Sequence, residues 1–231
     1  EFNNEKILQF LFHYQWHQLR EYCHSKGILI IGDMPIYVSH DSSDVWANTQ
    51  LFQLDENGNK QFQAGSPPCD FQENGQIWRN PLYNWIEHEK TEFEWWKGRV
   101  EQLLKMVDII RFDHFIGYVN YWRIPEHEDS AKNGEWVSAP GNLLLYQLFN
   151  EFTDMEIIAE DLGDVSPKVT DLREKFNLPG MRVLQFEFGE TIHSPELYPH
   201  NSVAYTGTHD NDTTLGWFSS LSISNQKKVR E

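Results

Sequence analysis

Four acidic residues in this chain each end a short run that is mostly apolar. Asp33 follows Ile-Leu-Ile-Ile-Gly, Asp113 follows Ile-Ile-Arg-Phe, Glu160 follows Ile-Ile-Ala, and Asp210 follows the more mixed Tyr-Thr-Gly-Thr-His. Short apolar runs that give way to polar residues are typical of buried strands, and the carboxyl ends of parallel strands meet on one face of a sheet or barrel. Burying an unpaired, ionised carboxylate costs several kcal/mol, so a fold that gathers four of them is expected to use them. We therefore expect these acids to line an active site.

The order of helix-like and strand-like segments predicts an α/β fold with parallel strands. Apolar residues at helical spacing predict helices over 5–25, 91–106, 141–153 and 166–176. Apolar runs between them predict strands over 28–32, 107–112, 156–160, 182–188 and 202–207. This alternation indicates a (β/α)8 TIM-barrel type, which needs eight strands, whereas only five are visible. Either some strands escape detection, or residues 1–231 form a partial catalytic barrel domain.

The segment after the first predicted strand has a different composition. From Pro35 to about Glu87, polar residues, glycine and proline predominate, with tryptophan and phenylalanine scattered among them. Such a segment is too long for an ordinary connection, and long excursions after a barrel strand usually shape the site. We predict a long substrate-covering loop insertion over 34–90.

Charge and composition exclude several classes of partner. The chain has 35 acidic and 19 basic residues and a formal net charge of -16, which repels phosphate backbones and anionic lipids, so we expect neither nucleic acid nor membrane partners. Cys23 and Cys69 lack the spacing of a disulfide framework or a zinc site, which favours a reducing compartment. No apolar run reaches the roughly 18 residues that span a bilayer, and no signal peptide is visible. We expect a cytoplasmic location and leave the oligomeric state open.

Two acidic motifs are candidates for catalysis. Arg111 and Asp113 are two residues apart on a predicted strand, so their side chains point the same way. The guanidinium would keep the carboxylate ionised, as a nucleophile requires, although a buried scaffold salt bridge explains the pair equally well. Glu160 and Asp161 adjoin, so one is expected to face the site and the other the packing behind it. The apolar residues before Glu160 would raise its pKa, which suits a general acid, although Glu-Asp-Leu-Gly is also a common turn.

The remaining polar and aromatic candidates are less specific. His209 and Asp210 could bind a metal, but metal sites need three or four ligands at fixed spacing, and a sugar-binding pair is the better interpretation. Most of the many Trp and Tyr residues are expected to pack in the core, with Trp78 the strongest candidate for stacking on a sugar. A metal-dependent barrel hydrolase stays open as an alternative, with ligands Asp33, Asp113, His114, His209 and Asp210. A non-catalytic glucan-binding fragment is a second alternative.

Seven blocks of sequence resemble one known family, the amylomaltases or disproportionating enzymes, which are 4-α-glucanotransferases among the α-amylase-like barrel enzymes. Their order and spacing over nearly the whole chain carry the resemblance. The blocks are Gly32-Asp33-Met34-Pro35-Ile36-Tyr37-Val38, Asp41-Ser42-Ser43-Asp44-Val45-Trp46, Gly75-Gln76-Ile77-Trp78 with Asn80-Pro81-Leu82-Tyr83, Arg111-Phe112-Asp113-His114-Phe115, Ala159-Glu160-Asp161-Leu162-Gly163, Gly180-Met181-Arg182-Val183-Leu184-Gln185-Phe186 and Tyr205-Thr206-Gly207-Thr208-His209-Asp210-Asn211.

The resemblance implies retaining glycosyl transfer on α-1,4-glucans and maltooligosaccharides, with no cofactor and no metal. In the catalytic roles, Asp113 matches the family's nucleophile, Glu160 its acid/base and Asp210 its third carboxylate. In retaining enzymes the first two carboxyl groups lie about 5–5.5 Å apart. Residues that match or are expected at the substrate-binding positions are Asp33, Tyr37, Trp78, Arg111, His114 and His209.

The resemblance also bears on completeness and origin. It implies that this chain is the central part of a larger barrel. No large insertion separates Asp113 from Glu160, and in this respect the chain resembles the compact bacterial or plastid form of the family. A plastid location is therefore possible for a plant protein.

Two positions depart from the family's usual pattern. The family usually reads Pro-Pro-Asp before an aromatic residue, whereas Pro67-Pro68-Cys69-Asp70-Phe71 has Cys69 directly after the two prolines. Arg79 replaces the usual glycine between Trp and Asn-Pro. Both lie in the predicted covering loop, so they bear on acceptor preference and loop mobility and leave the catalytic assignments unaffected.

Overall fold

The structure is a computed structural model that describes residues 2–69, 73–188 and 195–230. Its helices are α1 (Phe2–Ser25), α2 (Ser43–Ala47), α3 (Trp85–Lys90), α4 (Glu94–Leu104), α5 (Gly141–Glu151), α6 (Pro167–Lys175), α7 (Thr214–Ser220) and α8 (Ile223–Arg230). Its strands are β1 (Ile31–Met34), β2 (Phe62–Ser66), β3 (Gln76–Pro81), β4 (Ile109–Phe112), β5 (Asn120–Pro125), β6 (Glu135–Ser138), β7 (Glu156–Ala159), β8 (Gly180–Val183) and β9 (Ser202–Tyr205).

Five strands form a parallel sheet in the order β1-β4-β7-β8-β9. Each corresponds to one of the five predicted strands, so the prediction of an α/β fold with parallel strands is confirmed. In the described residues β1 and β9 are the two edges of this sheet and do not pair with each other, so the barrel is not closed there.

Several strand boundaries differ from the prediction, and the hydrogen bonds and strand pairing give the reason for two of them. Residues 28–30 were predicted to be part of the first strand, but β1 begins at Ile31. The Ile30 N–H donates to the Asp108 carboxylate (2.8 Å) and so is not available for a strand bond. The predicted strand 182–188 is wrong beyond Val183, since β9 offers partners only as far as Tyr205. Without a partner, the chain turns into a short 3-10 helix, Leu184–Phe186.

Four further strands form an antiparallel sheet in the order β3-β2-β5-β6. None of these four strands was predicted from the sequence. The segment 34–90, predicted as a long loop insertion, contains α2, β2, β3 and α3. β5 and β6 come from the connection between β4 and β7, so two excursions from the parallel sheet build this second sheet.

An aromatic cluster packs the two excursions onto the parallel sheet. Tyr83 is 1% exposed and lies against Trp96, which is fully buried on α4. Trp96 in turn contacts Tyr118, which contacts Phe112 at the end of β4. The Tyr83 hydroxyl donates to the Ile36 carbonyl (2.5 Å), so this cluster also fixes the turn that follows β1.

Helix α1 is attached mainly through polar contacts. It has no buried residue, and its Arg20 guanidinium donates to the Asp108 carboxylate (2.6 Å) and to the Val107 carbonyl (3.0 Å). Trp16 Nε1 donates to the Met106 carbonyl (2.8 Å). Of the helices in the described ranges, none has both the length and the apolar character needed to cross a bilayer.

Candidate active site

The register of the parallel sheet places the predicted acids side by side. Asp33 on β1 pairs with Arg111 on β4, and Phe112 at the end of β4 pairs with Ala159 at the end of β7. Asp113 and Glu160 each follow one of these last paired residues, and neighbouring strands are about 4.8 Å apart. The Glu160 N–H donates to the Phe112 carbonyl (3.0 Å), so a backbone bond holds Glu160 beside the end of β4.

Arg111 joins the carboxylates of Asp33 and Asp113. Its Nη1 atom donates to Asp33 Oδ1 (2.6 Å) and to Asp113 Oδ1 (3.2 Å), and its side chain is 10% exposed. The other oxygen of Asp113 accepts a longer bond from the Ile36 N–H (3.4 Å). The predicted Arg-Asp pair is therefore present, and it extends to a third residue on the neighbouring strand.

The pKa of Asp113 differs from the expectation. Burial raises the pKa of this carboxyl, the Arg111 guanidinium lowers it, and the charge of Asp33 raises it again. The net shift is upward. Arg111 thus acts in the predicted direction, but the prediction of a lowered pKa at Asp113 is wrong, because burial outweighs the guanidinium.

Glu160 is held by the backbone of the residue after Asp113. His114 has a left-handed backbone (φ 45°), and its N–H donates to Glu160 Oε2 (2.6 Å). Burial raises the pKa of Glu160 to about 8; the charges of Asp113 and Asp210 add to the rise, while Arg111 and the His114 N–H oppose it. A carboxyl group with this pKa is largely protonated at pH 7, as a general acid requires. The direction of the shift is the one that the apolar run before Glu160 predicted.

Three ring systems stand beside these carboxyls. The Trp78 ring meets the His114 ring edge-on, with centroids 4.8 Å apart, and Tyr37 lies 6.1 Å from Trp78. Burial lowers the pKa of His114 to about 4, so its imidazole is neutral at pH 7. Burial raises the pKa of Tyr37, with a smaller upward effect from the charge of Asp113. Tyr37, Trp78 and His114, three of the predicted substrate-binding residues, are therefore grouped next to Asp113.

His209 and Asp210 are more exposed than Asp33, Arg111 and Asp113. Both side chains are 68% exposed, with His209 Nε2 3.4 Å from Asp210 Oδ1. Asp210 raises the pKa of Glu160, so its charge acts on the site, but none of the described hydrogen bonds or ion pairs joins its side chain to Asp33, Arg111, Asp113 or Glu160. Within the described ranges, no three His, Cys, Asp or Glu side chains are arranged as metal ligands.

Some residues that shape the site were not predicted. The backbone amides of Ile36 and His114 bind the two central carboxyls, and sequence patterns give no direct signal for such contacts. Asp161 was predicted only to face either the site or the packing. It is 6% exposed and paired with Arg173 and Arg182, so Glu160 is the member that faces the site.

The two departures from the family pattern lie on the second sheet or near it. Arg79 has a left-handed backbone (φ 65°), a conformation that glycine adopts freely and other residues rarely adopt. Its carbonyl accepts a hydrogen bond from Lys60 Nζ (2.7 Å). Cys69 is an exposed free thiol, and the following Asp70 and Phe71 lie outside the described residues.

Comparisons with known proteins agree with the motifs. The family model described as 4-alpha-glucanotransferase matches residues 1–231. The chain is 48% identical over 216 residues to a 4-alpha-glucanotransferase of Streptococcus pneumoniae, which covers 92% of this chain and 43% of that protein. It is 45% identical over 216 residues to the chloroplastic/amyloplastic 4-alpha-glucanotransferase of Solanum tuberosum, which covers 92% of this chain and 38% of that one.

A solved structure agrees as well. The amylomaltase from Streptococcus agalactiae, solved in complex with acarbose, superposes with a TM-score of 0.92 at 40% identity, over 97% of this chain and 47% of that one. The chain spans less than half the length of each of these three proteins. The resemblance to the amylomaltases is thereby confirmed. Since the family model covers the whole sequence and close relatives cover nearly all of it, the chain belongs to the 4-alpha-glucanotransferase family.

Proposed function

We propose that the protein containing this chain transfers segments of α-1,4-glucan to the 4-hydroxyl of glucose or of a maltooligosaccharide. The observation that carries the proposal is the pairing of two carboxyls on neighbouring strand ends, each with different partners. Asp113 is hydrogen-bonded to a guanidinium, while Glu160 is desolvated and has a pKa of about 8. Two carboxyls whose environments separate their roles in this way suit an acid/base and a nucleophile.

The proposed reaction has two steps. In the first, Asp113 attacks the anomeric carbon, the bond from that carbon to the glycosidic oxygen breaks, and Glu160 gives its proton to the departing oxygen. In the second, the acceptor hydroxyl attacks the same carbon, its proton passes to Glu160, and the ester bond to Asp113 breaks. The anomeric configuration is retained, and neither step uses a metal or an organic cofactor. Asp210 would hold the sugar hydroxyls, and His209 would assist it.

The aromatic corner supports a role in binding sugar. Trp78, Tyr37 and the neutral His114 ring form a surface of apolar faces with polar edges beside Asp113, which suits a pyranose ring. Asp33 and Arg111 would contact the sugar at the reacting site. We propose that the segment 34–90 covers the bound glucan, with Trp78 as its stacking residue.

We also infer that the five parallel strands are part of an eight-stranded (β/α) barrel. The likeness to the amylomaltase of Streptococcus agalactiae, which extends over about twice as many residues, supports this inference. Residues 1–231 would then be one partial catalytic domain. Cytoplasm, or the plastid in a plant, stays our prediction for the compartment; the Solanum tuberosum relative is named chloroplastic/amyloplastic.

The test is the product pattern from maltotriose with the full-length protein. A transferase yields glucose together with longer maltooligosaccharides, whereas a hydrolase yields only shorter products. Asp113→Asn should abolish transfer, because an amide does not form the glycosyl ester. Glu160→Gln should lose transfer but regain turnover with a glycosyl fluoride donor and azide as acceptor, since neither requires proton transfer.

A matched control lies on the same strand. Glu156 is exposed at the opposite end of β7, so Glu156→Gln should leave transfer unchanged. Near-normal transfer by Asp113→Asn would refute the nucleophile assignment. Shorter products alone from the unaltered protein would refute the proposed function.

A further inference from the structure

The parallel sheet has one incomplete junction, and it lies beside Glu160. β1 with β4, β4 with β7, and β8 with β9 each pair at four positions, but β7 and β8 pair only at Ala159 and Gly180. In a regular parallel ladder each residue on one strand bonds to two residues of its neighbour, and Ala159 uses this pattern at the single position where β7 meets β8. Its N–H donates to the Pro179 carbonyl (2.9 Å), just before β8 begins.

Asp161 makes two further hydrogen bonds at this junction. Its own N–H donates to the Ala159 carbonyl (3.0 Å), and its Oδ1 atom accepts from the Met181 N–H (2.8 Å). A bond between residues two apart closes a three-residue turn, and Glu160 is the central residue of this one. Glu160 is not among the residues with positive φ, which fits the common inverse form of that turn. The turn directs Glu160 away from the ladder.

The Asp161 carboxylate is fixed in turn by two cations. Its side chain is 4% exposed and lies 3.1 Å from Arg173 Nε and 3.3 Å from Arg182 Nη1. Arg173 is itself buried and donates to the Leu178 carbonyl (3.1 Å), which ties the group to the chain that leads into β8. A buried carboxylate with these partners has little freedom to move, because any displacement leaves a charge unpaired.

Gly180 leaves room for this arrangement. A Cβ atom at position 180 would lie 2.6 Å from Asp161 Oδ2 and 2.7 Å from Oδ1. Any larger residue there would push the carboxylate out of its place. Two independent features, the ion pairs and the absence of a side chain at Gly180, therefore hold the Asp161 carboxylate at the Met181 N–H.

We propose that Asp161 is a positioning residue for Glu160. Its carboxylate is anchored by the Met181 N–H and by Arg173, and this anchor fixes the turn that carries Glu160 to the His114 N–H. This inference rests on the proposed function, in which Glu160 transfers the proton. Asp161 does not contact the reacting atoms.

The test separates positioning of the acid from general stability. One reaction uses maltotriose as donor and acceptor, which needs Glu160 in both steps. The other uses α-maltotriosyl fluoride as donor and azide as acceptor, followed by fluoride release, which needs Asp113 but no proton transfer. In the full-length protein, Asp161→Ala should slow the first reaction by about 100-fold, the loss expected when a catalytic group is displaced by about 1 Å, and the second by less than about threefold.

A second variant covers the case in which Asp161→Ala does not fold, and melting temperatures are measured for both. Gly180→Ala keeps every charge but crowds the carboxylate, and should show the same split with a loss of about tenfold in the first reaction. The control is Asp164→Ala, an exposed acid three residues further along, which should change neither reaction.

Equal losses in the two reactions, or no loss in the first, would overturn the inference. Absence of transfer in the unaltered protein would instead overturn the proposed function.

Discussion

The position of Arg111 leads to a prediction about the pH dependence of activity. Its Nη1 atom lies 2.6 Å from Asp33 Oδ1 and 3.2 Å from Asp113 Oδ1, and its charge lowers the pKa of both Asp113 and Glu160. In the proposed mechanism the acidic limb of the rate profile reports ionisation of Asp113, and the basic limb reports deprotonation of Glu160. Arg111→Met should therefore move the whole profile to higher pH.

The size of the displacement follows from the distances and the exposure. An opposite charge within about 4–6 Å lowers the pKa of a carboxyl by roughly 1–3 units, which corresponds to about 1.4–4 kcal/mol. The Asp113 side chain is 33% exposed, so solvent screens part of this interaction. We expect the acidic limb to move by about one pH unit, near the low end of that range. The two carboxyls interact, so the limbs describe the pair and not either residue alone.

The assay is kcat/KM for glucose release from maltotriose between pH 4 and pH 9 with the full-length protein. Arg111→Lys keeps the charge and should keep the positions of both limbs, although it loses the forked geometry. Arg123→Met is a matched control, because Arg123 makes an equally short pair with Glu135 (2.6 Å) on the antiparallel sheet. A profile of Arg111→Met that is lower but not displaced would refute the electrostatic role.

Three further predictions concern stability and the acceptor. Burial raises the pKa of Asp108, but hydrogen bonds from Ile30, Arg20 and His24 outweigh burial and lower the pKa to about 2. Asp108→Asn should therefore lower the free energy of unfolding in urea at pH 7 by about 2 kcal/mol. This contribution is present above about pH 4 and disappears as the pH falls through 2; an equal deficit at pH 2 would contradict it. Arg79→Gly should stabilise the chain by up to about 1 kcal/mol, whereas an alanine there should not, as thermal unfolding would show. Trp78→Ala should raise the ratio of hydrolysis to transfer from maltotriose; an unchanged ratio would exclude its role at the acceptor site.

The parallel sheet could be predicted from the sequence because each of its strands carries a local signal. The mostly apolar runs before Asp113 and Glu160 are short and bounded by polar residues, and both correspond to observed strands. The second sheet carries no such signal. β2 contains Ala64 and Gly65 and becomes a strand because β3 and β5 bond to its two edges. The pairing with β5 joins residues about 60 positions apart, a distance over which local patterns carry no information.

The site was predictable to the same extent. The spacing of Arg111 and Asp113 fixed their common direction, and the resulting ion pair is present. The sign of the net pKa shift at Asp113 could not be predicted, because it depends on burial and on Asp33, which lies 80 positions earlier in the chain. For Glu160 the apolar neighbours were sufficient, since burial is also the largest cause of its raised pKa.

The orientation of Glu160 depends on contacts that sequence patterns do not reveal. Two backbone details direct it: the left-handed conformation of His114, and the turn that Asp161 closes against Ala159. The position of Asp161 in that turn depends on groups from β8 and α6, namely the backbone N–H of Met181 and the guanidinium of Arg173. The strands therefore determine where the acid lies along the sheet, and the packing of the next βα unit determines where it points.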